Sequence, residues 1–415
     1  MIRWISCIFL FQFSIGVIGQ NVSDIDSVLI KTFPNTNFNA DTISNVRHLS
    51  TFFDKLMKIE AGENCIVNIS HIGDSHIQAD FLTREIRVKL QHKFGNAGRG
   101  LIFPLKLTHT NEPMDFRSSS NFDWQFARVI GSSKFPQPGL AGVSIKSEND
   151  SAKLDIETYN HDSLNYAFNQ VSVIQNNDSA QFHFYLSDST VINNQLPTSE
   201  ISVNDYASIT YNFKELTNHF SLSVEKKSEK QNNFTLNGFI LQNKLPGILY
   251  HSIGINGAHF VNFNKSELFF EQLPLLNSDL IIISLGTNEG LNSHISESEI
   301  ITMATNMIDK IKAVNQQSSI LLITAFDNLF RNKRSNPYLK IVNNALLKSA
   351  SLTNVACLDV YDITGGFGSA TEWKRNGFLR ADGIHYTKEA YALQGKIIYK
   401  AIIDSYLKYV STRHR

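Results

Sequence analysis

The chain carries no surplus of charge. Its 38 Lys and Arg residues balance 38 Asp and Glu, so no overall field draws it to nucleic acid or to an anionic membrane surface. Charged residues are 18% of the 415, below the usual quarter, and Asn and Ser fill much of the polar surface instead. Cysteine is scarce. Of the three, Cys7 lies in an N-terminal apolar run, while Cys65 and Cys357 each head an expected strand. None has metal-ligand spacing, and the last two read as buried thiols. His-Glu-x-x-His, Cys-x-x-Cys, phosphate-loop and dinucleotide motifs are all missing, so no metal and no other cofactor is expected.

Long apolar runs are also missing, with one exception. Met1-Ile2-Arg3 brings a positive charge, Trp4 to Ile18 is apolar, and Val17 and Gly19 precede a cut at Gln20. Charge, length and cleavage chemistry predict a signal peptide over residues 1–19. A membrane anchor is the alternative, but the run falls short of the roughly 20 residues that span a bilayer. The chain is therefore expected to be exported, periplasmic or secreted, with no stable membrane insertion after cleavage. A monomer is expected.

What is present is a change of texture. Apolar residues recur at helical spacing from Asp41 to Glu60, from Ile77 to Phe94, from Ser296 to Val314, from Ser335 to Leu352 and from Thr387 to about Tyr406. Short β-branched runs lie between them: Cys65–Ile72, Ile248–Ile253, Asp279–Leu285, Ile320–Thr324 and Val355–Asp359. Such alternation predicts an α/β fold, a three-layer α/β/α unit on a parallel sheet. Between about Gly100 and Leu245 the helical period vanishes. Alternating runs such as Ala180–Phe182–Phe184–Leu186 are separated by Asn, Asp, Ser and Gly clusters, which predicts an all-β, jelly-roll-like sandwich. The expected domains are residues 20–99 and 246–415 for the α/β unit, with 100–245 inserted.

Four segments carry chemistry. Gly73-Asp74-Ser75-His76 joins a strand to a helix. Gly254-Ile255-Asn256-Gly257-Ala258 and Gly286-Thr287-Asn288-Glu289 each follow a strand, and Asp382-Gly383-Ile384-His385 precedes the last helix. Each alone has a plain structural reading as a cap or a turn. Together they converge on the carboxyl edge of the sheet, where ligands bind in such folds. A serine hydroxyl needs a base to take its proton. His385 can be that base, and Asp382 can hold its other ring nitrogen. Donors for a developing oxyanion would be the backbone N–H groups of Ser75 and Gly257 and the side-chain amide of Asn288.

These four blocks resemble the SGNH (GDSL) hydrolase superfamily, with Ser75, Gly257, Asn288 and His385 in the eponymous positions and Asp382 completing the triad. The stretches Ile72 to Phe103 and Asp362 to Thr387 are similar to peptidoglycan O-acetylesterases of that superfamily, in which a module like a carbohydrate-binding domain interrupts the hydrolase. One departure is Glu289, where the third block often has Asp. The resemblance implies a carboxylic ester hydrolase that removes O-acetyl groups from a cell-wall glycan, peptidoglycan foremost, and it argues against a lipase, since acyl-chain enzymes of this type rarely carry such an insert. An acetylesterase acting on other polysaccharides, a lipase or thioesterase, and a glycan-binding protein with a vestigial hydrolase domain are the alternatives.

Trp373, between the Gly365–Gly368 loop and the triad loop, could form a floor on which a sugar stacks or could anchor the core. His76 adjoins the nucleophile and His71 lies within the preceding strand, where a packed core histidine is expected. His251 and His259 flank the second block and could face the cleft.

Overall fold

The computed structural model describes residues 43–131, 136–160, 162–187, 199–203 and 206–413. The expected signal peptide lies outside them. Five strands form a parallel sheet: Ile66–Gly73 (β1), Gly247–Gly254 (β2), Leu280–Ser284 (β3), Ser319–Ile323 (β4) and Ala356–Leu358 (β5). Their spatial order is β2-β1-β3-β4-β5. These strands are nearly continuous apolar runs because both faces are covered. The period of two divides β3 between them: Leu280 and Ile282 enter one core, Ile281 and Ile283 the other.

The main helices are Ser50–Glu60 (α1), Phe81–Phe94 (α2), Glu297–Val314 (α3), Pro337–Leu352 (α4) and Lys388–Arg413 (α5). Phe53 of α1, Ile86 and Leu90 of α2 and Ile398 of α5 share the core with Leu280 and Ile282. Ile308 of α3 and Leu346 of α4 cover the opposite face. Local chemistry sets the starts of α3 and α4. Ser296 and Glu299 form a reciprocal capping box. Asn336 caps α4 and Pro337 fills its first position.

The helix expected over 77–94 is interrupted. A short turn, Ser75–Gln78, precedes α2, and Asp80 between them is left-handed at φ 59°. The apolar period reads through this break because it does not register a buried ion pair. Asp80 accepts from Arg87 at 2.9 and 2.7 Å and from Arg99 at 3.2 Å. Burial would raise its pKa, but the two guanidinium charges outweigh burial and hold the carboxylate well below its ordinary range.

The strands between Gly100 and Gln242 build a seven-stranded and a four-stranded antiparallel sheet. Aromatic rings interdigitate between them. Phe220 meets Phe239 edge-on at 5.1 Å and Phe168 at 5.7 Å. The α/β/α unit is thus interrupted by an all-β sandwich, and the two are fused. Leu101 and Phe239 of the sandwich share one core with Ile253, Ile283 and Ile308. Gly100 has φ 82°, and a Cβ there would strike the Tyr250 carbonyl of β2, so glycine permits this close approach. Cys65 is half-buried, Cys357 is buried, and both are free thiols. Among the described residues no helix is long and apolar enough to cross a membrane.

Candidate active site

The strand order turns between β1 and β3, and in open α/β sheets the crevice at that switch point is where ligands bind. Ser75 follows β1 and Asn288 follows β3. Ser75 opens the turn after Asp74, whose Oδ1 accepts the His76 N–H at 2.9 Å and so caps the turn.

Ser75 Oγ lies 2.8 Å from His385 Nε2. His385 Nδ1 lies 2.9 Å from Asp382 Oδ2. Asp382 Oδ1 accepts the N–H groups of Ile384 and His385 at 2.8 and 2.9 Å. Partial burial raises the Asp382 pKa, but these hydrogen bonds outweigh burial and leave it lowered. A carboxylate facing Nδ1 assigns the proton to that nitrogen and leaves Nε2 an acceptor for the serine hydroxyl.

The loop after β2 supplies donors. Asn256 N–H donates to Gln78 Oε1 at 2.8 Å, and Ala258 N–H donates to the Ile255 carbonyl at 3.0 Å. Between them Gly257 is exposed, with φ 78°. Among the described residues no acceptor pairs with its N–H or with that of Ser75. Asn288 Nδ2 donates to the Ala258 carbonyl at 2.9 Å, so the third block is tied to the loop that bears Gly257.

Sequence reasoning missed the parts that hold this loop. Gln78 Nε2 donates to Thr110 Oγ1 at 2.9 Å and to Asn111 Oδ1 at 3.1 Å. Asn256 Nδ2 donates to Thr110 Oγ1 at 3.1 Å. One clamp therefore joins the first block, the second block and the start of the insert. Its hydrogen bonds join residues 32 or more positions apart, and no local pattern marks them. Glu289 belongs to the same support. It is buried, and its Oε1 accepts the Phe260 N–H at 2.7 Å. Burial raises its pKa to about 7 and that of Asp74 to about 6.

The histidines separate by environment. His76 is buried, with Nδ1 2.8 Å from the Tyr391 hydroxyl, and burial lowers its pKa to about 3. It is a neutral neighbour of His385, whose ring centroid is 5.5 Å away. His71 sits between the Tyr250 and Ser284 hydroxyls, 2.7 Å from each. His251 faces the sandwich instead of the cleft, and its Nδ1 accepts the Leu101 N–H at 3.0 Å. His259 lines a cleft of about 460 Å³ beside Glu289. Trp373 corrects an expectation. It is 1% exposed and packs edge-on against Tyr386 at 5.3 Å, so it has no face for a sugar. The short helix Ser369–Arg375 turns it inward beneath the triad loop.

Fold and class coincide: this is an α/β/α carboxylic ester hydrolase interrupted by a β-sandwich. Residues 215–393 match the GDSL-like lipase/acylhydrolase family, a stretch that contains Gly257, Asn288, Asp382 and His385. The fold is that of the SGNH (GDSL) hydrolases. A peptidoglycan O-acetylesterase of known structure aligns with a TM-score of 0.72 at 20% identity, over 86% of this chain and 96% of its own. At that coverage the shared fold extends into the sandwich. A lipase/acylhydrolase from Enterococcus faecalis aligns at 20% identity over 38% of this chain and 76% of its own, with a TM-score of 0.29. A carbohydrate esterase family 3 protein from Talaromyces cellulolyticus aligns at 18% identity over 39% and 73%, with a TM-score of 0.31. No curated protein matches the chain.

Proposed function

We propose that the protein is an exported serine acetylesterase that removes O-acetyl groups from a cell-wall glycan, peptidoglycan foremost. Ser75 is the nucleophile, His385 the general base and Asp382 the residue that orients it. The unbroken run from Ser75 Oγ through His385 to Asp382, at 2.8 and 2.9 Å, carries this reading. The fold shared with a peptidoglycan O-acetylesterase across both parts of the chain supports the choice of glycan.

In the first half-reaction Ser75 Oγ bonds to the acetyl carbon while its proton passes to His385 Nε2. The carbonyl oxygen becomes an oxyanion held by the N–H groups of Ser75 and Gly257 and by the Asn288 amide. The bond to the sugar oxygen then breaks, and that oxygen takes the proton from Nε2. In the second half a water gives its proton to Nε2 and attacks the acetyl-enzyme, and acetate leaves as Ser75 regains a proton. The clamp through Gln78, Thr110 and Asn111 keeps the Gly257 donor in place through both halves.

The test is acetate release from O-acetylated peptidoglycan and from acetylated xylan by wild type and Ser75→Ala. The variant is expected to fold normally and to lose at least about 10³-fold in rate. A variant retaining more than about a tenth of the rate removes Ser75 from the role. A preference for acetylated xylan moves the substrate to other polysaccharides.

A further inference from the structure

We infer that the hairpin over Leu329–Ser335 reads carboxylates and makes the enzyme select acidic over neutral acetylated glycans. The inference rests on the esterase reading above and names the charge of its substrate. Strands Leu329–Phe330 and Arg334–Ser335 pair antiparallel. The hairpin is fastened to the triad loop: Leu329 N–H donates to the Gly383 carbonyl at 2.8 Å, and Asn332 Nδ2 donates to the Ala381 carbonyl at 2.6 Å. Its position is thereby fixed relative to Asp382 and His385.

Its charge is of one sign. Arg331, Lys333 and Arg334 are exposed, and the segment 329–335 contains no acid. Arg331 and Arg334 both lie against the Phe330 ring, with guanidinium carbons 5.2 and 5.8 Å from its centroid. Lys374 donates to Asn332 Oδ1 at 2.9 Å, and Arg380 is exposed in the loop that leads to Asp382. Among the described residues Arg331, Lys333, Arg334 and Arg380 have no ion-pair partner. The acid that faces the cleft does not cancel this charge. Asp382, the acid on the cleft wall, is held by His385 and two backbone N–H groups.

The charge meets the site at a cleft of about 360 Å³ whose walls include Asn292, Phe330, Arg331, Asp382 and Ile384. Asp382, which holds the histidine beside Ser75, is one of its walls, so on the esterase reading the units next to an acetyl group at Ser75 would extend toward it. A guanidinium resting on an aromatic ring is well suited to a bidentate carboxylate contact. The chain as a whole is neutral, so the attraction is local to the cleft and not a general affinity for polyanions. The carboxylates could belong to peptide stems or to uronic acid units, and the two sources are separable.

Binding of the Ser75→Ala protein to peptidoglycan sacculi, polygalacturonate and neutral glucomannan tests this independently of turnover. Both acidic polymers, or sacculi alone if the stems are read, are expected to bind at least about tenfold more tightly than glucomannan at about 0.01 M salt. The preference is expected to vanish near about 0.5 M salt. Arg331→Ala/Lys333→Ala/Arg334→Ala in the same background should lose about tenfold in affinity for the acidic polymer and leave the glucomannan value unmoved. Equal binding to acidic and neutral polymers, or a preference insensitive to salt, overturns the inference even if the triple variant does not fold. Aryl acetate hydrolysis by the wild type is measured alongside. Its absence would refute the esterase reading, while the binding arms still judge the hairpin.

Discussion

Arg87 of α2 and Asp115 of the sandwich form an ion pair at 2.7 Å, and neither side chain is exposed to solvent. Arg87 also holds Asp80, and Arg99 lies 2.6 Å from Asp115, so four buried charges fasten the insert to the hydrolase. Removing one partner from such a set leaves an uncompensated charge. Asp115→Ala is expected to cost about 3–5 kcal/mol of stability, read by denaturant unfolding. The same network, with the shared core, predicts that replacing residues 100–245 by a short linker gives a chain without cooperative thermal unfolding. A well-folded excised protein would show that the sandwich is an independent module.

Asn288 supplies both a donor to the proposed oxyanion and the hydrogen bond that holds the Ala258 carbonyl. Asn288→Ala is expected to lower kcat by about 10²–10³ with a much smaller change in KM. Steady-state kinetics on an aryl acetate measures the split. A change confined to KM would remove Asn288 from transition-state stabilisation.

Glu289 gives a stability difference that depends on pH. Its folded pKa is raised to about 7 from 4.5 by burial, so the folded state holds a proton that the unfolded chain releases. Stability contributed by that proton is complete below about pH 4.5 and is lost as pH rises through about 7. Glu289→Gln keeps an oxygen for the Phe260 N–H and does not titrate. The variant is expected to match wild type near pH 4.5 and to exceed it by on the order of 2–3 kcal/mol at pH 8. Thermal unfolding across this range checks the sign. Asp74 titrates in both proteins, so it cancels from the comparison to first order.

Acyl length separates an acetylesterase from a lipase or thioesterase. Aryl acetates are expected to give kcat/KM at least about 10²-fold above octanoates. Comparable rates on the two would move the assignment toward acyl-chain substrates.

Much of the hydrolase was legible in the sequence because its signals are local. Runs such as Leu280–Ile283 declare strands buried on both faces, Ser296 and Glu299 declare a helix start, and glycines beside Ser75, Gly257 and Asn288 mark turns at strand ends. What the tertiary structure alone decided depends on which side chains the fold sets opposite one another. The break at Asp80 follows from Arg87 and Arg99, and the inward turn of Trp373 follows from its packing on Tyr386. The Gln78–Thr110–Asn256 clamp and the fastening of the 329–335 hairpin to the triad loop join segments up to 178 positions apart. Periodicity and capping report how a segment lies relative to its own axis. They carry no information on which distant donor, charge or ring will stand opposite it, and that pairing is what sets the site.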